Sequence, residues 1–274
     1  VRPLVVIAAI ALGAVVLTYA GYRIVRRAEP PLPAVVMRDA NVAALVSPPL
    51  RERFRRAVTG SAGDGRFEGA KLIALTFDDG PYPVDTPALI AALHDAHVPA
   101  TFFIIGRDAE QYPGLLRAIV AAGNEVGNHT LTHPNLDQLD DAAVAQQLSA
   151  AATVLGTYVN DPAVHRFFRP PHGRFRPATL TVAQRAGYDT IFWTDDPGDW
   201  RAVDAATILD HVTRFATSPE ILLLHNGRPQ TVAALPQIVA RFHAAGYTFV
   251  TVGEMLARVR PEELNRAART PLSL

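Results

Sequence analysis

The chain has 274 residues, 49% of them hydrophobic, enough to build one large α/β domain with appendages. Its formal net charge is zero, so no bulk electrostatic attraction to nucleic acid is expected. It contains no cysteine, which excludes disulfides, thiolate nucleophiles and cysteine-based zinc sites together and leaves His, Asp and Glu to hold any metal.

From the N-terminus, Leu4 to Tyr22 carries no charge and is mostly Val, Ile, Leu and Ala. As a helix it can cross a hydrocarbon core of roughly 30 Å. Residues 1–27 are therefore expected to be a transmembrane anchor, with a cleaved signal segment ending near Thr18-Tyr-Ala20 as the rival. Arg23, Arg26 and Arg27 follow the run, an excess that the positive-inside rule alone would hold in the cytoplasm. Residues 28–69 read as a linker, stiffened by Pro30, Pro31, Pro33, Pro48 and Pro49 and glycine-rich from Thr59 to Gly69. A short helix is expected within it from Pro49 to Val58.

Between residues 70 and 262, apolar runs of strand length alternate with helical patterns. The expected strands are Leu72–Phe77, Ala100–Ile105, Glu125–Asn128, Phe167–Arg169, Thr190–Trp193, Ile221–His225 and Phe249–Val252. The expected helices are Pro87–Ala96, Tyr112–Ala122, Asp140–Tyr158, Pro177–Ala186, Asp204–Ala216, Val232–Ala245 and Gly253–Arg260. Gly123, Gly187 and Gly246 each follow a helix, where a left-handed cap belongs. Such alternation predicts a parallel sheet, and seven or eight units predict a closed (β/α) barrel. Residues 263–274 are left as a tail.

The polar residues that stand out fall at the C-terminal ends of different strands: Asp78, Asp79, His129, His133, Arg169, Asp199 and His225. In a barrel these ends share one rim. Two imidazoles four residues apart and one carboxylate make a site suited to zinc, with open positions for water and substrate. The second carboxylate is then free to act as a base. The spacing does not decide which aspartate does which. Phe167-Phe-Arg-Pro-Pro-His-Gly-Arg174 is a stiff, proline-bounded segment whose backbone N–H groups can face an oxyanion. Arg169 in it can hold a rim carboxylate ionised. Trp200 offers an aromatic wall suited to a sugar ring, and Asp199 can make His225 an imidazolium acid.

Taken in order, Thr76-Phe-Asp-Asp-Gly80, His129-Thr-Leu-Thr-His133, Arg169-Pro-Pro-His-Gly173, Asp196-Pro-Gly-Asp-Trp200 and Leu223-Leu-His225 resemble the motifs of the polysaccharide deacetylases, the NodB-homology domains of carbohydrate esterase family 4. The resemblance covers about residues 70 to 260. It implies a distorted (β/α) barrel that hydrolyses N-acetyl groups on GlcNAc-type polymers such as peptidoglycan or chitin. It also implies a divalent metal, zinc first and cobalt as an option, held by Asp79, His129 and His133. Asp78 is then the base, braced by Arg169, and His225 the acid, tuned by Asp199. The backbone N–H of His172 faces the oxyanion, and Trp200 and Leu223 border the acetyl pocket.

Two positions depart from the family pattern: His172 stands where Tyr is usual, and Asn226 where Asp is common, with an altered field at His225 as the expected effect. The implied partners are an acetylated polysaccharide and, through residues 1–27, a membrane, with the catalytic domain outside the cytoplasm, or secreted if the segment is cleaved. No protein partner is implied. An acetyl-xylan-type esterase and a catalytically silent sugar-binding module are the alternatives.

Overall fold

A computed structural model describes residues 36–37, 71–201 and 203–258, all in the unit spanning Pro33–Leu274. The expected anchor, most of the linker with its helix at Pro49–Val58, and the tail lie outside the described residues. Among the described residues no helix is long and apolar enough to cross a membrane.

In chain order the elements are β1 (Val36–Met37), β2 (Lys71–Asp78), α1 (Asp85–Asp95), β3 (Ala100–Ile104), α2 (Gly106–Gln111), α3 (Pro113–Ala121), β4 (Glu125–Asn128), α4 (Asp141–Tyr158), β5 (Phe167–Phe168), α5 (Pro177–Arg185), β6 (Asp189–Ile191), α6 (Ala205–Arg214), β7 (Glu220–His225), α7 (Pro229–Ala244), β8 (Tyr247–Phe249) and α8 (Val252–Arg258). The strands lie in the order β1-β6-β5-β4-β3-β2-β7, with β8 also on β2. Pairing is parallel from β2 to β8, and only β1 runs antiparallel, against β6.

Alternation along β2 divides the molecule into its apolar and chemical halves. Ile73, Leu75 and Phe77 pack into the main core with Leu89 and Leu93 of α1 and Leu235 and Ile238 of α7. Thr76 and Asp78 turn to the other face, where both meet Arg169. The helices begin where the sequence supplies caps: Asp140 accepts from Ala143 N at 2.8 Å and Asp204 from Thr207 N at 2.7 Å. Gly123, Gly187 and Gly246 take φ of 81, 88 and 81°, as expected of left-handed caps.

Several expectations are corrected. The sheet is a curled half-barrel of parallel strands and not a closed ring. Between β6 and β7 regular pairing gives way to one bridge, Asp195 with Leu222. The cause lies in the strand expected at Thr190–Trp193, which stops at Ile191 because the carbonyls of Ile191 and Phe192 accept instead from the Arg169 guanidinium, at 3.1 and 3.0 Å. A helix at Gly106–Gln111 was not foreseen, being too short to show a period. Within the expected linker, Val36–Met37 is a strand that covers the open edge of β6. The last strand lies at Tyr247–Phe249, not Phe249–Val252. Val252 opens α8 because Thr251 and Glu254 form a reciprocal capping box, at 3.0 and 3.1 Å.

Candidate active site

Adjacent strand residues point to opposite faces, so Asp78 and Asp79 should diverge. They do not, because Asp79 sits just past the strand with φ of 75°. The left-handed turn swings its carboxylate to the side that Asp78 already faces. Asp79 Oδ1 lies 3.2 Å from His133 Nε2 and 3.7 Å from His129 Nε2. The ligand atoms of Asp79, His129 and His133 all lie within 4.8 Å of one another. The two histidines are not on a helix. They flank a bend in which Thr130 and His133 themselves have φ of 70 and 59°.

The donor set fits a divalent ion. Asp79 Oδ1 is buried and has no hydrogen-bond partner, a cost that a cation removes. His129 Nδ1 donates to the Arg169 carbonyl at 2.8 Å, which leaves the Nε2 lone pair free toward Asp79. Burial, reinforced by His129, lowers His133 to about 4, so that its ring is neutral. No cysteine competes for the site.

Arg169, buried completely, donates from Nη1 to Asp78 Oδ1 at 2.7 Å and to Thr76 Oγ1 at 2.8 Å. Its guanidinium also lies 4.1 Å from the Phe103 ring centroid. Burial alone would raise the Asp78 carboxyl, but Arg169, His129 and His225 outweigh it and hold the group below its ordinary 3.8. Across the sheet, His225 is the register partner of Asp78. Its Nδ1 meets Asp199 Oδ1 at 2.7 Å, and its backbone N donates to Asp199 Oδ2 at 2.8 Å. Burial opposes protonation of His225, yet Asp199, with Asp78 and Asp79 adding to it, raises the imidazole above its ordinary 6.5. An acid kept ionised thus faces an imidazole that is readily protonated.

His172 is in a left-handed conformation, φ 57°, inside a tight turn at Pro171–Gly173. The turn's own bonds run from Gly173 N to Pro170 O and from Arg174 N to Pro171 O, and the His172 amide takes no part in them. The His172 ring sits edge-on to His133 at 4.4 Å. Leu223 is buried two residues before His225, opposite Thr76. Trp200 stands apart on the rim, 46% exposed, with the Arg201 guanidinium 4.6 Å from its ring. Asn226, which follows His225, turns its side chain to other partners. Its amide bonds to Thr86 Oγ1 and Gly227 N, pinning β7 to α1. Sequence reasoning missed Thr231, whose hydroxyl donates to Asp199 Oδ2 at 2.6 Å, and Gln230, which donates to the Asp199 carbonyl at 2.9 Å. Neither has a local signature, since both arrive from the first turn of α7.

Residues 66–191 match the family described as polysaccharide deacetylase. A Bacillus cereus peptidoglycan-N-acetylglucosamine deacetylase is 38% identical over 191 residues, covering 68% of this chain and 88% of that relative. A Sinorhizobium fredii chitooligosaccharide deacetylase is 38% identical over 192 residues, covering 65% of this chain and 89% of its own. The solved structure of a family 4 carbohydrate esterase from Streptomyces lividans, in complex with acetate, superposes with a TM-score of 0.62 at 31% identity, covering 65% of this chain and 91% of that one. Fold, motif order and relatives agree: the chain belongs to the polysaccharide deacetylase family.

Proposed function

We propose that this protein is a metal-dependent N-deacetylase that hydrolyses the acetamide of GlcNAc-type polysaccharide and releases acetate. The observation that carries the reading is the juxtaposition of Asp79, His129 and His133 with two proton-transfer groups of opposite preference, Asp78 and His225, on paired strands. The two relatives named for peptidoglycan and chitooligosaccharide support the substrate class.

Asp79, His129 and His133 would hold the ion, zinc by the nitrogen and oxygen character of the donors, with cobalt an acceptable substitute. When bound, it supplies Lewis-acid polarisation of the amide carbonyl and acidifies water. Asp78, kept ionised by Arg169, takes the proton from the attacking water. The His172 backbone N–H accommodates the charge that develops on the carbonyl oxygen, a donor of a kind typically worth about 3 kcal/mol of barrier. His225, oriented through Nδ1 by Asp199, delivers a proton to the departing nitrogen as the carbon–nitrogen bond breaks, and acetate is left. Trp200 and Leu223 border the acetyl group and its sugar. The uncharged run Leu4–Tyr22 supports an anchored enzyme, and the peptidoglycan named for a relative supports a catalytic domain outside the cytoplasm, against the arginine excess that follows the run.

The test is acetate release by the full chain from peptidoglycan, chitooligosaccharide and acetylated xylan. We expect release from the first or second, loss on chelation and recovery with Zn2+ or Co2+. Faster release from xylan would replace the reading with an O-acetyl esterase. Binding without release from any polymer would leave a silent sugar-binding module. Protease accessibility of the domain in intact cells tests the location.

A further inference from the structure

The bend between the two candidate histidine ligands is held in an unfavourable conformation, and the source of the restraint is identifiable. Thr130 has φ of 70° and His133 φ of 59°. A left-handed backbone is uncommon outside glycine and a real outlier for a β-branched residue such as Thr130. Such geometry persists only where surrounding contacts over-determine it.

The contacts can be enumerated atom by atom. The carbonyls of Thr130 and Leu131 accept from Gly106 N and Arg107 N, both at 2.9 Å, in the first turn of α2. Thr130 N donates to Asn128 Oδ1 at 2.8 Å, and His133 N donates to Thr130 Oγ1 at 3.1 Å. Two amides are left between the ligands, and both end on one atom of one side chain. Leu131 N and Thr132 N donate to Gln147 Oε1 at 3.1 and 3.0 Å. The other end of the same amide, Gln147 Nε2, donates to Thr132 Oγ1 at 3.0 Å.

Gln147 lies in the second turn of α4 and is half-buried. It is not among the clustered ligand atoms. The bend is thus gripped from both sides, by backbone donors of α2 on its carbonyls and by a single side-chain acceptor on its amides. Removing the acceptor frees two amides to turn toward water, and the bend that directs His133 is then held from one side only, by the donors of α2.

We propose that Gln147 is a positioning residue for the metal centre, fixing the bend so that His129 and His133 are presented together before any ion arrives. The inference rests on Asp79, His129 and His133 being the metal site, and it concerns affinity for the ion, not turnover. Because Leu131 and Thr132 lie near the surface, water can replace the lost acceptor, and the fold itself should be little affected.

The experiment compares wild type, Gln147→Leu and Gln147→Glu in the full chain. Zn2+ affinity is read by competition with a chromogenic chelator, and the visible spectrum is read after loading with Co2+. Gln147→Leu keeps the shape and loses the acceptor, and its Zn2+ affinity should fall about 10- to 100-fold. Its metal-free Tm should stay within about 3 °C of wild type. Gln147→Glu keeps the acceptor for both amides and should stay within about threefold of wild type, with an unchanged Co2+ spectrum.

Wild-type affinity in Gln147→Leu overturns the proposal. So does an equal loss in both variants, which would assign the effect to the amide's packing and not to its acceptor. A wild-type chain that binds Zn2+ yet releases no acetate overturns the deacetylase reading and leaves this one standing.

Discussion

Glu220 sits fully buried on the face of β7 opposite His225, and its surroundings predict a stability that falls as pH rises. Its Oε2 accepts from Thr217 N, at 2.6 Å, and its Oε1 is buried without a partner. Asp195 is in the same condition, with Oδ1 2.9 Å from His211 Nε2 and Oδ2 buried and unpartnered. Burial first, and the charge of Asp195 second, hold the Glu220 carboxyl well above its ordinary 4.5. In that window the folded protein keeps the proton while the unfolded chain has released it. The unfolded state therefore binds fewer protons, and stability drops as pH rises above 4.5 until the folded carboxyl itself ionises. Each pH unit crossed costs up to about 1.4 kcal/mol.

The variant Glu220→Gln removes the need for the proton, keeps an acceptor for Thr217 N and puts no second charge near Asp195. It should match wild type near pH 4 and pull ahead of it as pH rises above 4.5, by at most about 1.4 kcal/mol for each pH unit, read from urea midpoints of metal-free protein. Its turnover should be unchanged, because the side chain is on the far face from the site. His211 also contributes to the pH dependence, through its bond to Asp195. Burial opposes its protonation, but the bond to Asp195 prevails and raises the ring, so its contribution is present below 6.5 and fades as pH rises through the folded value. Parallel stability curves for wild type and variant from pH 4 to 8 would refute the reasoning.

The remaining predictions concern the site. Arg169→Met leaves Asp78 buried and unpaired and strips the carbonyls of Ile191 and Phe192 of their donor. It should lower stability by about 3–5 kcal/mol in chemical denaturation, and a loss below about 1 kcal/mol would contradict the role given to the seam. Asp78→Asn should retain metal by elemental analysis while losing about 100-fold or more in turnover, whereas His129→Ala should lose the metal. Asp199→Asn removes the charge that raises His225, so the imidazole deprotonates earlier and the alkaline limb of kcat/KM moves to lower pH. An unmoved limb would exclude His225 as the acid.

Much of this was legible from residue order alone, for reasons that differ by element. Strand β4 was read with its bounds at Glu125–Asn128, and the helix starts at Asp140 and Asp204 were visible because their side chains cap the first turn. The rim residues were legible as a set because parallel strands bring their C-terminal ends to one side. What escaped depends on contacts between distant segments. Gln147 and Thr231 carry no motif, since each matters only through the backbone or carboxylate it reaches. The open seam was hidden because a run such as Thr-Ile-Phe-Trp at 190–193 reads as strand whether its carbonyls meet another strand or a guanidinium. The convergence of Asp78 and Asp79 depends on one backbone torsion, which the letters Asp-Asp do not encode.

Arg169 touches the chemistry at both its ends: its guanidinium grips Asp78, and its carbonyl accepts from His129. The candidate base and a candidate ligand are therefore referenced to one rigid residue directly after β5. Asp78 is carried by β2 and His129 follows β4, so Arg169 ties the two across the sheet in addition to β3, which lies between those strands. The same coupling constrains change. Any substitution that retunes the candidate base at Arg169 also disturbs the candidate ligand and the seam, so change in the proposed substrate preference has its freedom at the rim, around Trp200, and not at the candidate reacting centre.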